Sequence, residues 1–218
     1  MMTDHSILDC QNLPNVVNKK LSLWRKIRTF INRAILYFKK KRNHDDLKQA
    51  AIHEAGHVIV GYFTDHKVYG VSIIPTGKLV GGTSFNHLDF LEWFSTPFLQ
   101  LVIGYGGKIA EELCLGKPLL HRAADQPLID DLVMKMVTKW GMTEKMGYMN
   151  FATASEEDKK MILKEVKSMK AKAREFAAQI IKEHREGFLK IIAVLMAHYS
   201  LNGTEIKEIL EGNSSFFI

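Results

Sequence analysis

Apolar positions recur every three or four residues along most of this chain, so most of it reads as helix. Leu47, Ala50, Ala51, Ala55, Val58 and Ile59 form one such stripe and predict a helix over residues 45–63. Thr96-Pro97 opens a second helix, with proline in the first turn and Gly116 just past the end. A third is expected from about Pro127 to Trp140, stopped by Gly141. Ser155-Glu156-Glu157-Asp158 is a helix start with acids at the N-terminal end. From there the helical pattern runs to about Tyr199, with a break around His184–Gly187, and Thr204 is the expected cap of a short last helix. Val68–Thr76 and Lys78–Asn86 read instead as two short strands joined at Pro75-Thr76-Gly77. The fold class this predicts is mainly α with a small β element (α+β), in a body spanning residues 43–218.

One further helix stands apart from that body. Leu23, Trp24, Ile27, Phe30, Ile31, Ala34, Ile35 and Phe38 lie at helical spacing, with Arg25, Lys26, Arg28 and Arg33 among them and Lys39, Lys40, Lys41 and Arg42 behind. Charges interrupt the stretch too often for a transmembrane span, and no long apolar core follows to make a signal peptide. It predicts a basic amphipathic arm over residues 1–42, helical at 20–41. This arm carries ten Lys or Arg against two acids, a net of +8, whereas the rest holds twenty against twenty-two, a net of −2. The whole-chain net charge of +6 therefore belongs to the arm, and the body has no general nucleic-acid role to support. Such an arm either packs on the body or a neighbouring subunit, or lies on an anionic membrane surface, or meets another acidic partner. Hydrophobic residues at 46% and charged residues at 25% exclude a mostly disordered chain and a polytopic membrane protein. Two cysteines, Cys10 and Cys114, exclude a disulfide framework and an all-cysteine zinc site, and suit a reducing compartment. The expected location is cytoplasmic, with peripheral membrane contact through residues 20–41.

The chemistry begins inside the 45–63 helix. His53 and His57 are four apart and share a helical face, so both imidazoles can reach one zinc ion. Glu54 follows the first of them, completing an H-E-x-x-H pattern in which the glutamate acts as general base. Two neutral imidazoles leave most of the ion's charge in place, and a third ligand, often a carboxylate, fixes it. Without a metal the pattern is two polar residues on a helical face. The flanking residues are small and apolar, so this face is expected to be partly buried, where polar groups need a partner.

His53-Glu54-Ala55-Gly56-His57 resembles the zinc site of the FtsH-type peptidases, the M41 metallopeptidases. Further segments follow in that family's order. Val68-Tyr69-Gly70-Val71-Ser72-Ile73-Ile74-Pro75 resembles its strand after the site helix, and Leu79-Val80-Gly81-Gly82-Thr83-Ser84-Phe85 its glycine-containing edge strand. Gly106-Gly107-Lys108-Ile109-Ala110-Glu111-Glu112-Leu113 is similar to its G-G-R-x-A-E-E-L helix. Residues Met136 to Gly147 resemble M-V-T-x-W-G-x-S-E-K-L-G, and Leu201-Asn202-Gly203-Thr204-Glu205-Ile206 its last helix entry. The resemblance covers roughly residues 44–211. It implies a zinc peptidase domain over 43–218 in which zinc is held by His53, His57 and an aspartate that an ungapped alignment from Trp140 places at Asp125. His121, Asp130 and Glu112 are lesser candidates; where the family reads S-T-G this chain has Leu119-Leu120-His121. Asp125 also suits a helix N-cap ahead of Pro127. Glu111 and Glu112 fit outer-shell or solvated positions better than ligation.

Several further expectations rest on the same resemblance. The glycines of Gly81-Gly82-Thr83 allow close backbone approach, which in a peptidase suits an edge that an extended substrate can join as a strand; a β-bulge is the competing reading. The family couples its peptidase to membrane segments and an ATPase and forms ring hexamers. This chain has no G-x-x-x-x-G-K-[ST] phosphate loop, so it is expected to cut small or unfolded polypeptides without ATP, or beside a separate ATPase. The rival reading is a catalytically idle FtsH-like adaptor or assembly subunit that docks through its basic arm. Retention of His53, Glu54, His57 and Asp125 argues against it, and a third reading, a basic-arm binding module, predicts partner capture that survives loss of zinc.

Overall fold

The computed structural model describes residues 44–74, 81–85, 96–118, 125–143 and 146–212. The expected arm at 1–42, the expected turn at Pro75-Thr76-Gly77 and His121 lie outside the described residues. The elements are α1 (His44–Tyr62), β1 (Val68–Ser72), β2 (Gly82–Phe85), α2 (Pro97–Leu115), α3 (Asp125–Thr138), α4 (Glu156–Glu183), α5 (Arg185–His198), β3 (Ser200–Asn202) and α6 (Gly203–Leu210). The molecule is thus mainly helical with one small sheet, as the spacing predicts.

Helix α1 is the central element. Every residue from Ala50 to Gly61 is buried, so this stretch is covered on all sides rather than along one stripe. Its neighbours are α2, α5, α4 and the sheet. Contact with α2 is close at Gly56, where a Cβ would collide with the main-chain oxygen of Gly106. Two glycines facing each other let the helix axes approach further than side chains allow, and this sets the depth at which α2 meets the H-E-x-x-H face.

Helix α4 lies across α2. It buries only Ile162, Val166, Ala173, Ala177, Ile180 and Ile181, a single stripe, and its other faces are mostly polar, with Met161, Leu163 and Phe176 exposed among them. Ser155 caps it, accepting a hydrogen bond from Asp158 N at 3.1 Å. It ends at Glu183, and α5 starts at Arg185, so the break expected around 184–187 falls on His184. The C-terminus of α2 is closed by Gly116 in the left-handed region (φ 73), as expected of a glycine past the last turn.

Three details depart from expectation. The strands are shorter than 68–76 and 78–86, and a third strand, β3, pairs with β1 on the other side in the order β2-β1-β3, all antiparallel. Helix α3 starts at Asp125, so that residue belongs to the first turn and Pro127 sits just inside it, where its missing N–H has no helical partner to lose. Helix α6 is capped by Asn202, not Thr204. Asn202 accepts from Glu205 N at 3.0 Å while Glu205 accepts from Asn202 N at 2.8 Å, a reciprocal pair that Thr204 lacks because Lys207 stands three residues after it. No helix among the described residues is long and apolar enough to cross a membrane.

Candidate metal centre

Helix α1 presents His53 and His57 one turn apart, both nearly buried. Their rings are fixed from behind by α2. His53 Nδ1 lies 2.8 Å from Glu111 Oε1, and His57 Nδ1 lies 2.8 Å from the main-chain oxygen of Ile103. A carbonyl oxygen can only accept, so His57 Nδ1 carries the hydrogen; an ionised Glu111 dictates the same for His53. Each Nε2 of the neutral ring is then an outward-facing lone pair. Glu111 is 1% exposed, deep enough that it serves the imidazole rather than solvent.

The first residue of α3 completes the group. Asp125 Oδ2 lies 3.1 Å from His53 Nε2 and 3.3 Å from His57 Nε2, and the two Nε2 atoms are 3.1 Å apart. Three acceptor atoms at such separations repel one another unless something positive lies among them. Ligands at zinc bond lengths of 2.0–2.2 Å in a tetrahedron sit about 3.3–3.6 Å apart, slightly wider than this triangle. His53, His57 and Asp125 could therefore hold a divalent ion as two nitrogens and one oxygen.

Without metal, a proton takes the cation's place. Burial disfavours a charged His53, but its hydrogen bonds to Asp125 and Glu111 and the charge of Glu54 outweigh that and raise its pKa to about 9. Burial likewise opposes charge on Asp125, yet contact with His53 and His57 holds its carboxyl far below the usual carboxylate range. The raised His53 pKa stabilises the metal-free fold below the unfolded value of 6.5, and that contribution is lost as pH rises through about 9. A metal entering at pH 7 has to displace this proton. Calorimetry of zinc binding in buffers of different ionisation enthalpy is expected to show about one proton released per ion, with affinity falling about tenfold per pH unit below 9. Proton release of zero at pH 7 would show that the imidazoles are already free.

Glu54 is also nearly buried. Its Oε2 accepts from Thr83 Oγ1 at 2.9 Å, and Gly81 stands against its Oε1. Two of the residues expected at a substrate edge thus face the glutamate, while a Cβ on Gly82 would meet nothing and Gly82 is exposed. Among the described residues β2 pairs only with β1.

The chain matches the family model described as Peptidase family M41 over residues 41–209. It belongs to that family. Among its relatives, the ATP-dependent zinc metalloprotease FtsH 3 of Symbiobacterium thermophilum is 29% identical over 195 residues, 79% of this chain and 31% of the relative. The ATP-dependent zinc metalloprotease FtsH of Chlamydia trachomatis is 29% identical over 203 residues, covering 81% and 22%. The ATP-dependent zinc metalloprotease YME1L1 of Mus musculus is 29% identical over 176 residues, covering 74% and 24%. The chain thus spans less than a third of the length of these relatives.

Within this M41 domain the lesser ligand candidates are engaged elsewhere. Glu112 Oε2 accepts from Arg174 at 2.7 Å, and Asp130 Oδ1 accepts from Lys170 at 2.5 Å and from Gln126 at 2.8 Å, so both tie helices together instead of facing the triangle. His121 lies outside the described residues. Sequence reasoning missed Gly107. A Cβ there would come within 2.6 Å of both Nε2 atoms, so its absence makes room for the rings.

Proposed function

We propose that this chain is a zinc-dependent endopeptidase that hydrolyses peptide bonds in unfolded or small polypeptides. The observation that carries the reading is the convergence of three lone pairs from His53, His57 and Asp125 beside a buried glutamate on the same helix. When bound, zinc supplies the Lewis acid that acidifies water and polarises the peptide carbonyl. Glu54 then takes the proton of the attacking water and returns it to the leaving amine. Glu111 and the Ile103 carbonyl hold the two rings in the tautomer that leaves Nε2 free. The side of β2 that has no strand partner among the described residues offers main-chain groups at Gly82 to an extended substrate, which would add as a strand. A ring hexamer, and an ATPase joined to this domain or working beside it, belong to the reading as the family resemblance implies them.

The test is cleavage of unfolded casein by the purified chain without ATP, with zinc and with a chelator. Zinc-dependent cutting that the chelator abolishes is the expected result, with activity restored on adding zinc back. Bound zinc without cutting would favour dependence on a partner ATPase. Neither zinc nor cutting would sink the enzyme reading in favour of an idle adaptor docked by its arm.

A further inference from the structure

Among the described residues, Glu54 is held from outside its own helix by β2 and by Gly81 just before it. Strand β2 alternates, with Gly82 and Ser84 exposed and Thr83 and Phe85 turned inward. Phe85 fills a notch on α1 at Gly61, where a Cβ would collide with the edge of its ring. Gly61 is seven residues after Glu54 and so on the same helical face. Seating Phe85 there lays β2 along α1 and brings Thr83, two residues back on the same strand face, onto Glu54. The carboxylate is then bracketed. Thr83 Oγ1 donates to Oε2 at 2.9 Å, and a Cβ on Gly81 would stand 3.0 Å from Oε1 and 3.4 Å from Cγ. The main-chain oxygen of Glu54, 3.3 Å from the same hydroxyl, is the longer and uncharged alternative for its single hydrogen.

We infer that Thr83 is a positioning residue: its hydroxyl fixes the Glu54 carboxylate, so that the strand offered to the substrate also sets the place of the base. The kinetic consequence rests on the peptidase reading; the geometric one does not. Glu54 has several rotatable bonds, and among the described residues no other side chain donates to its carboxylate. Thr83 is β-branched and stiff at χ1, which makes its hydroxyl a firmer anchor than a serine's. A substrate strand pairing with the outer edge of β2 would use main-chain groups and leave this side chain in place. The distance from substrate backbone to base is then built into one element.

Thr83→Val keeps the shape of the side chain and removes the donor, and Thr83→Ser keeps the donor. Steady-state cleavage of an unfolded substrate and crystal structures of both variants make the test. The valine variant is expected to lose about 10–100-fold in kcat, with KM and zinc content close to wild type. Its Glu54 carboxylate should occupy more than one orientation. The serine variant should recover most of the rate and a single orientation. An unmoved Glu54 in the valine variant overturns the inference, as does unchanged kcat, or serine and valine equally impaired. If the wild-type chain proves unable to cut, the peptidase reading falls, and the orientation of Glu54 still decides the positioning claim.

Discussion

Alanine at position 107 is expected to abolish metal binding while leaving the helices intact. A Cβ at Gly107 would stand 2.5 Å from His53 Cε1 and 2.6 Å from the Nε2 atoms of both histidines. These are the atoms that would face the metal, so the methyl group occupies the mouth of the centre. The rings can escape only by giving up their hydrogen bonds to Glu111 and the Ile103 carbonyl. Losing one such outer partner costs metal affinity about 10–100-fold, and here both rings are displaced together and the methyl group fills the mouth of the centre, so the loss is expected well beyond that range. Helix α2 itself does not suffer, because alanine favours a helix interior over glycine by about 1 kcal/mol. Zinc titration with circular dichroism checks this: the spectrum should match wild type, and binding should be lost. Gly56→Ala is the contrast. Its Cβ meets main chain of α2, which cannot swing aside, so that variant is expected to lose the α1–α2 packing and the fold with it. Wild-type zinc affinity in Gly107→Ala would mean that the rings adopt some other arrangement.

The second large effect is on rate alone. Glu54→Gln keeps size and the acceptor oxygen for Thr83 but removes the carboxylate that takes a proton. Loss of general-base catalysis is expected to lower kcat by about 10²–10⁴-fold. Zinc content should stay at the wild-type level, because Glu54 is outside the group formed by His53, His57 and Asp125. Measuring zinc and cleavage on the same preparation separates the two. A variant that still cuts at the wild-type rate would remove Glu54 from the mechanism.

How much of this was legible beforehand follows from sequence separation. His53 and His57 are one helical turn apart with Glu54 beside the first, so spacing alone brings them together; in the structure both rings meet Asp125 while Glu54 accepts from the hydroxyl of Thr83. Asp125 is 68 residues from His57 and could be named only through the family resemblance; no periodicity marks it. Glu111 and Gly107 sit in a segment noticed for its similarity, yet what they do depends on how closely α2 approaches α1, and that follows from the Gly56–Gly106 contact. Thr83 was read as part of a substrate edge. The inward direction of its hydroxyl depends on Phe85 finding the notch at Gly61, which no local rule predicts. Strand β3 escaped for a related reason: three residues have no pattern of their own, and Ser200–Asn202 are a strand because β1 lies beside them. The capping of α6 was within reach of a local rule. Asn202 and Glu205 stand three apart, the spacing of a capping box, whereas Thr204 has Lys207 at that spacing.

The most direct measurement is X-ray absorption at the zinc edge on the purified, zinc-loaded chain. The account predicts one zinc per chain with two imidazole nitrogens and a carboxylate oxygen at about 2.0–2.2 Å, and one imidazole fewer in His57→Ala. Sulfur in the first shell at about 2.3 Å, or no zinc retained, would contradict it.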